Sequence, residues 1–262
     1  MARRIAVCNQ KCGVGKTTTA INLAAGLALR QPRVLLVDMD PQAHATVGLG
    51  VDRTTLSVSV YEVLLEAQRV EDAIIPTCFE GMDLLPATIN LAGAEVELVD
   101  VEQREFRLAR ALNLIEPRYS FIIIDCPPSL LLLTINSLVA AQGVLVPVQA
   151  EYYALEGMSR LLETINLVRS SLNPRLEIEG VLLTMFSARL LLCQQVEREV
   201  REFFCEQVFN TIIPRSVRLA EAPSFGKPIF AYDGQSSGAQ AYLALSDELL
   251  AKHGMSRKSD ES

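Results

Sequence analysis

The sequence is poor in the residues that usually bind transition metals. It has only two histidines, His44 and His253, which is too few for a histidine metal site. Its six cysteines are scattered, and none has the C-x-x-C spacing of zinc or redox pairs. Cys8 and Cys126 lie in or beside apolar segments, where cysteine packs as a small apolar residue. The cysteine pattern therefore fits a reducing compartment.

Long apolar runs and an excess of basic residues are also absent. No stretch reaches the length of a membrane span, and residues 1–4 do not resemble a secretory signal. We therefore expect a cytoplasmic protein. The formal net charge of -7 argues against a generally basic nucleic-acid binder, although a net sum does not describe a local basic patch.

Half of the 262 residues are apolar, which is ample for a sizeable core. Strand-like and helix-like segments alternate throughout, and this predicts a single α/β domain with a mostly parallel twisted sheet covered by helices on both faces. We assign residues 1–254 to this domain and 255–262 to a disordered polar tail. The predicted strands are 4–10, 34–38, 82–86, 121–125, 143–148, 178–184 and 208–213. The predicted helices are 16–30, 58–66, one or two within 90–114, and then 132–140, 155–171, 193–204 and 238–250.

The most informative segment is residues 9–18, N-Q-K-C-G-V-G-K-T-T, which lies between an apolar run and a helical stretch. A turn of this kind points backbone N–H groups at phosphate oxygens, and the following helix adds its positive dipole end. Lys16 would reach the β- and γ-phosphates, and the Thr17 hydroxyl would bind Mg²⁺. The layout predicts a nucleotide site.

The loop departs from the standard pattern G-x-x-x-x-G-K-[ST]. Gln10 stands where the first glycine is expected, and Lys11 adds a second lysine. One alternative is a glycine turn with a solvated lysine. A dinucleotide-binding turn is another, but Thr18 occupies the place of its last glycine.

Two further predicted strands end in carboxylates, which should meet the loop because parallel sheets bind ligands beyond the carboxyl ends of their strands. Asp40 could orient the water that attacks the γ-phosphate, or it could be a turn aspartate that bonds local backbone. Asp38 is better explained as a structural residue that satisfies loop backbone. Asp125 closes an apolar strand and could hold Mg²⁺, directly or through water. The alternative interpretation of Asp125 is an aspartate that ends a strand and binds no ligand.

Together these segments resemble the ParA/Soj group of deviant Walker A ATPases, which are related to MinD. The family pattern K-G-G-V-G-K-T-T corresponds to residues 11–18, D-x-D-P-Q to 38–42, and I-I-I-D-C-P-P-S to 122–129. The stretches 146–157 and 213–224 are also close to the family sequence. The similarity spans nearly the whole chain and implies a P-loop NTPase fold of the deviant Walker A type.

The resemblance also implies a cycle with ATP and Mg²⁺ as cofactors. Two subunits would close over two ATP molecules, bind DNA without sequence preference on the nucleoid, and hydrolyse ATP slowly until a ParB/Spo0J-type partner stimulates them. The cargo would be a chromosome, a plasmid or a protein assembly. The implied catalytic residues are Lys11, which would reach the partner's phosphates, Lys16 and Asp40. The implied nucleotide contacts are Lys11, Cys12, Gly13, Val14, Gly15, Lys16, Thr17 and Thr18, with Pro214 and Arg215 near the adenine. The implied metal ligands are Thr17 and Asp125. The implied DNA contacts are Arg189 and Arg218.

The chain departs from the family pattern at two places. Cys12 stands where the family has glycine, either for an unusual backbone angle or for a close approach of phosphate or partner. In the run D-P-Q-G-N-A-T, His44-Ala45 is taken to replace Gly-Asn.

Two other functions compete with partitioning. A MinD-like positioning ATPase would associate with membrane through a basic amphipathic terminal helix, whereas the last predicted helix here has the pattern of a packed domain helix. We therefore expect no stable membrane association. An iron protein related to nitrogenase would need cluster cysteines in glycine-flanked settings, which this chain does not offer.

Overall fold

The protein is built around one twisted sheet of seven strands, seen in a computed structural model that describes residues 2–152, 154–155 and 158–256. The strands run in the spatial order β3-β4-β2-β5-β1-β6-β7, and every neighbouring pair is parallel except β3 and β4. They are β1 Arg3–Val7, β2 Val34–Asp38, β3 Ile75–Pro76, β4 Met82–Leu85, β5 Phe121–Asp125, β6 Gly143–Gln149 and β7 Glu177–Thr184.

Helices connect the strands and cover both faces of the sheet. They are α1 Lys16–Ala28, α2 His44–Gly48, α3 Val60–Leu64, α4 Val70–Ala73, α5 Leu91–Glu97, α6 Arg107–Ile115, α7 Leu132–Ala140, α8 Met158–Ser171, α9 Leu191–Phe204, α10 Val217–Glu221, α11 Ile229–Asp233 and α12 Ser237–Lys252. Short 3₁₀ turns cover Arg104–Phe106, Glu116–Arg118, Cys205–Gln207 and Ala222–Phe225. No helix within the described residues is long and apolar enough to cross a membrane.

Strands β2 and β5 are apolar up to their last residues, Asp38 and Asp125, because both of their faces are buried. Ile122 and Ile124 of β5 face a core formed with α3 to α9, whereas Phe121 and Ile123 face a second core formed with α1 and α12. In α1, Gly26 permits the close approach of α12, since a Cβ there would lie 2.4 Å from Ser246 Oγ. The predicted single-domain α/β architecture is confirmed.

Most predicted elements are present, with ends that differ by a few residues. The predictions for 34–38, 121–125 and 132–140 match the observed bounds. The helix predicted at 155–171 is observed as Met158–Ser171, and residues 156–157 lie outside the described residues, as do residues 257–262 of the predicted tail. The short elements β3, α2, α4, α10 and α11 were not predicted.

The strand predicted at 208–213 is wrong. Within the described chain this segment meets β7 at separate points: an isolated bridge joins Val208 to Val181, and the N–H of Ile213 donates to the carbonyl oxygen of Leu183 at 2.9 Å. A second bridge lies just beyond it, from Pro214 to Phe186. The N–H groups of Asn210 and Thr211 instead donate to Glu248 of α12, at 2.7 and 2.9 Å. A continuous ladder therefore does not form, although the segment packs against the sheet.

Two features of the fold position the candidate site. β5 lies between β1 and β2, so Asp125 is the register partner of both Val7 and Asp38. Further out, the backbones of Gly50 and Gly226 touch, and a Cβ on Gly226 would lie 2.6 Å from the Cα of Gly50. This contact joins the segment after α2 to the segment after α10.

Candidate functional site

The glycine loop between β1 and α1 has the backbone that an anion site needs. Gly13 and Gly15 have left-handed φ angles of 77° and 86°, which glycine adopts without strain. A Cβ added to Gly13 would meet nothing within 4 Å, so the loop faces open space. The first turn of α1 contains no acidic residue that would repel an anion from its positive end. The loop can therefore cradle phosphate.

Side chains from neighbouring strands hold this loop in place. Asn9 donates from its amide to the carbonyl oxygen of Pro147 at 2.7 Å, and its Oδ1 accepts from the N–H of Lys11 at 3.0 Å. Thr184, at the end of β7, donates to the carbonyl oxygen of Val14 at 2.8 Å. Contacts within the chain thus hold the loop in this conformation.

The two loop lysines make different contacts. Lys16 is only 8 % exposed, and its ammonium donates to the carbonyl oxygen of Lys11 at 3.0 Å. The ammonium of Lys11 pairs instead with the Glu151 carboxylate, in the turn after β6. Both ammonium groups therefore lie at the loop, but neither is without an oxygen partner.

The Asp125 side chain is the least satisfied polar group at the site. It is fully buried, and neither carboxylate oxygen has a hydrogen-bond partner within the described chain. Burial and the neighbouring Asp38 carboxylate raise the pKa of Asp125 well above its usual value. The Thr17 hydroxyl is near enough to act in the opposite direction, although its contact with the carboxylate does not meet hydrogen-bond geometry. A buried acid with two free oxygens beside a threonine hydroxyl fits a hard cation such as Mg²⁺. Thr17 and Asp125, the two predicted metal ligands, are thus brought together.

Asp38 and Asp40 perform different tasks in the loop after β2. Asp38 accepts from the N–H of Asp40 at 3.1 Å and from both the N–H and the hydroxyl of Thr46, at 2.8 and 2.7 Å. Its predicted structural role is confirmed. Burial raises the pKa of Asp38 to about 6 even though these hydrogen bonds oppose the shift. Asp40 accepts from Gln42 N–H at 2.9 Å through Oδ1, which is the local backbone bond expected of a turn aspartate.

A cavity of about 290 Å³ opens beside the loop. Gly15 and Thr18 line one side, and Pro214 and Arg215 line the other. The structure thus brings the predicted adenine contacts next to the predicted phosphate contacts. The remaining walls are largely apolar, as is typical for a pocket that receives an aromatic base. They are formed by Thr184, Met185, Ile213, Ser216, Leu219, Ala220 and Tyr242.

Arg189 and Arg218, the predicted DNA contacts, are both exposed. Arg189 lies in the loop between β7 and α9, and Arg218 lies on α10. The segments that precede them are adjacent because Phe186 bridges to Pro214. Arg218 is paired with Glu221 at 3.1 Å and with Asp233 at 3.4 Å, so phosphate would have to compete with two carboxylates.

The two departures from the family pattern have different structural outcomes. Cys12 is exposed and does not have a positive φ, so it carries no left-handed strain. The assignment of His44-Ala45 to the Gly-Asn positions is out of register by one residue. Counted from Asp40, it is Ala43 and His44 that occupy them, and Ala43 has a left-handed φ of 57°. A glycine would take this conformation without the penalty of a Cβ.

The sequence did not reveal several residues at the site. Asn9, Thr184 and Glu151 each contact a distant part of the chain, and the sequence does not predict which residue each of them contacts. Met185 has a left-handed φ of 51° beside the cavity, which is unusual for a long side chain. The only available signal was position, since Asn9, Glu151 and Met185 each follow a strand at its carboxyl end.

Comparison with known proteins identifies the family. Residues 2–178 match the AAA domain. The chain is 54% identical to a chromosome partitioning protein ParA from Myxococcus xanthus, covering 96% of this chain and 89% of that protein. It is 55% identical to the sporulation initiation inhibitor protein Soj from Bacillus subtilis, covering 96% and 99%.

One similar solved structure has a different name. It is cobyrinic acid a,c-diamide synthase from Mycobacterium smegmatis with bound ATP analog and magnesium, with a TM-score of 0.86, 40% identity and 98% of each chain covered. Its identity to this chain is lower than that of the ParA and Soj relatives, so those relatives decide the assignment. The chain belongs to the ParA/Soj family of chromosome-partitioning ATPases.

Proposed function

We propose that this chain is a partitioning ATPase that dimerises on binding ATP and then binds DNA without sequence preference. The observation that carries the proposal is the convergence of an open glycine loop, two lysines and the unpartnered Asp125 carboxylate at one edge of the sheet. Similar structures solved with ADP or an ATP analog and magnesium support these cofactors. The protein would act in the cytoplasm, on the nucleoid.

The residues at the loop would each perform one part of ATP binding and hydrolysis. Thr17 and Asp125 would hold Mg²⁺, which would supply positive charge against the phosphates. Lys16 would exchange the carbonyl oxygen of Lys11 for phosphate oxygens, because a charged acceptor forms the stronger hydrogen bond. Asp40 has a second carboxylate oxygen without a hydrogen-bond partner in the described chain, and it would orient the attacking water.

Dimer formation explains how an acidic protein could bind DNA under the control of ATP. A monomer offers few basic contacts, but pairing doubles them, and affinity rises steeply with the number of phosphates neutralised. The segments that precede Arg189 and Arg218 are adjacent, and the two arginines of each subunit would form one patch. A ParB/Spo0J-type partner would then stimulate hydrolysis, open the dimer and release the DNA.

The test is binding of a labelled DNA duplex in Mg²⁺ buffer with ATP, with ADP and without nucleotide. We expect binding only with ATP, and none for Lys16→Ala, which should lose ATP because it lacks the ammonium at the loop. Equal DNA binding in all three states would refute the proposed switch. ATP-dependent sedimentation with liposomes in place of DNA binding would favour a MinD-like membrane function.

A further inference from the structure

We propose that Glu151 holds Lys11 in its own subunit and so restrains dimer closure until ATP is bound. This inference rests on the proposed function, in which the Lys11 ammonium must reach the phosphates of a partner. In the structure that ammonium is paired with the Glu151 carboxylate. We call this intrasubunit ion pair the Lys11–Glu151 latch.

Both ends of the latch are attached to the same part of the fold. The N–H of Lys11 is held by Asn9, which is bound in turn to Pro147 of β6. Glu151 follows β6 by two residues, and its N–H donates to the carbonyl oxygen of Gln149 at 2.8 Å. Because the backbones of both residues are already positioned, little further conformational entropy is lost when the ion pair forms.

The latch and the dimer compete for one positive charge. While the Lys11 ammonium neutralises Glu151, it is not available to a partner's phosphates. The two side chains are 34% and 39% exposed, so water screens the pair and its contribution is small. A triphosphate carries several negative charges and forms stronger charge-assisted contacts. The latch is therefore a weak restraint that bound ATP overcomes.

The same pair also favours reopening after hydrolysis. When Lys11 leaves, the Glu151 carboxylate loses its partner beside the phosphate loop, where another negative charge is unfavourable. Once the γ-phosphate is lost, the attraction of Lys11 to the partner's nucleotide weakens. The ammonium then returns to Glu151, and the free subunit regains its ion pair.

The first experiment measures the dimer dissociation constant by sedimentation velocity with Mg²⁺ and a non-hydrolysable ATP analogue. An exposed ion pair changes an equilibrium by up to about fivefold, and each dimer opens two of them. We expect Glu151→Gln to lower the dissociation constant about three- to tenfold. Glu163→Gln removes the same charge from an exposed position on α8 and should match the parent. An unchanged or raised constant for Glu151→Gln overturns the latch.

The second experiment observes the lysine directly, since the chain has few lysines and ¹³C-methylated lysine signals can be resolved. The Lys11 signal, assigned with Lys11→Arg, should shift on Glu151→Gln and on addition of the analogue, but not on Glu163→Gln. If the Lys11 signal has the same chemical shift in Glu151→Gln as in the parent, the ion pair is refuted.

The parent protein separates failure of the latch from failure of the proposed function. A parent that binds the analogue but remains monomeric refutes the proposed dimer, and the latch with it. A parent that dimerises as strongly as Glu151→Gln refutes the latch alone.

Discussion

Replacing Asp125 by asparagine should stabilise the nucleotide-free protein while removing its response to Mg²⁺ and ATP. The Asp125 carboxylate is buried beside Asp38 and has no hydrogen-bond partner in the described chain. Such a charge opposes folding unless a cation is present. Asparagine has nearly the same shape and no charge, so it removes this cost but cannot neutralise a cation.

The size of the stability gain expected for Asp125→Asn follows from the pKa of the neighbouring Asp38 carboxyl. Asp38 has a pKa of about 6 against an ordinary value of 3.8, a difference of about 2 units or about 3 kcal/mol. Burial acts on Asp125 in the same direction, so the Asp38 figure serves as the order of magnitude for the cost of the Asp125 charge. Burying the amide of the introduced asparagine costs about 1 kcal/mol, which leaves a gain of about 2 kcal/mol in the free energy of unfolding. In a domain of this size that raises Tm by about 4–8 °C.

The assay is thermal unfolding at pH 7 in a chelator, then with ATP and Mg²⁺. The exposed Asp100→Asn, which removes one charge at the surface, should leave Tm unchanged. Because the pKa of Asp38 is raised, its contribution to stability is complete below about pH 4 and is lost as pH rises through about 6. The parent should therefore lose stability over that range in chelator. A destabilised Asp125→Asn, or one that still responds fully to Mg²⁺ and ATP, would refute the assignment.

Three further variants test the other assignments. Asp40→Ala should bind ATP with parental affinity but hydrolyse it at least 100-fold more slowly, because the attacking water loses its hydrogen-bond acceptor. A parental rate of ATP hydrolysis, measured as phosphate release, would contradict this role of Asp40. Cys12→Gly should leave ATP affinity within about twofold, because Cys12 has no backbone strain to relieve. It should strengthen ATP-dependent dimerisation, because it removes an exposed thiol from the loop. Equal dimerisation of both proteins in sedimentation would refute an effect of Cys12 on the dimer. Arg218→Glu should keep ATP binding and weaken DNA binding at least tenfold, because a cation is lost and an anion is added. Retained DNA affinity at moderate salt would count against Arg218 as a DNA contact.

The parts of the fold that one sequence predicts are those with a strong local signal. The strands at 34–38 and 121–125 are continuous apolar runs, which only a strand buried on both faces explains at that length. The segment 208–213 has similar composition, but Glu248 takes two of its N–H groups from outside the segment. No local pattern distinguishes a strand from an extended segment held by a distant side chain.

The candidate site shows the same division. Residues 11–18, Asp40 and Asp125 were found because chemistry-bearing residues follow strands at one edge of a parallel sheet. The Lys11–Glu151 pair was not predicted, because 140 positions separate the two residues and no sequence pattern links them. The assignment of His44-Ala45 to the Gly-Asn positions was wrong by one residue, which counting from Asp40 corrects to Ala43 and His44. The left-handed φ of Ala43, by contrast, is seen only in the backbone.

The contact between Gly50 and Gly226 restricts side chains at both positions. A Cβ on Gly226 would lie 2.6 Å from the Cα of Gly50, and a Cβ on Gly50 would lie 3.3 Å from the carbonyl oxygen of Gly226. Gly50 closes the stretch that begins at Asp40, and Gly226 closes the stretch that begins with Arg218 on α10. A side chain introduced at Gly226 would therefore push the stretch that follows β2 away from the stretch that carries Arg218.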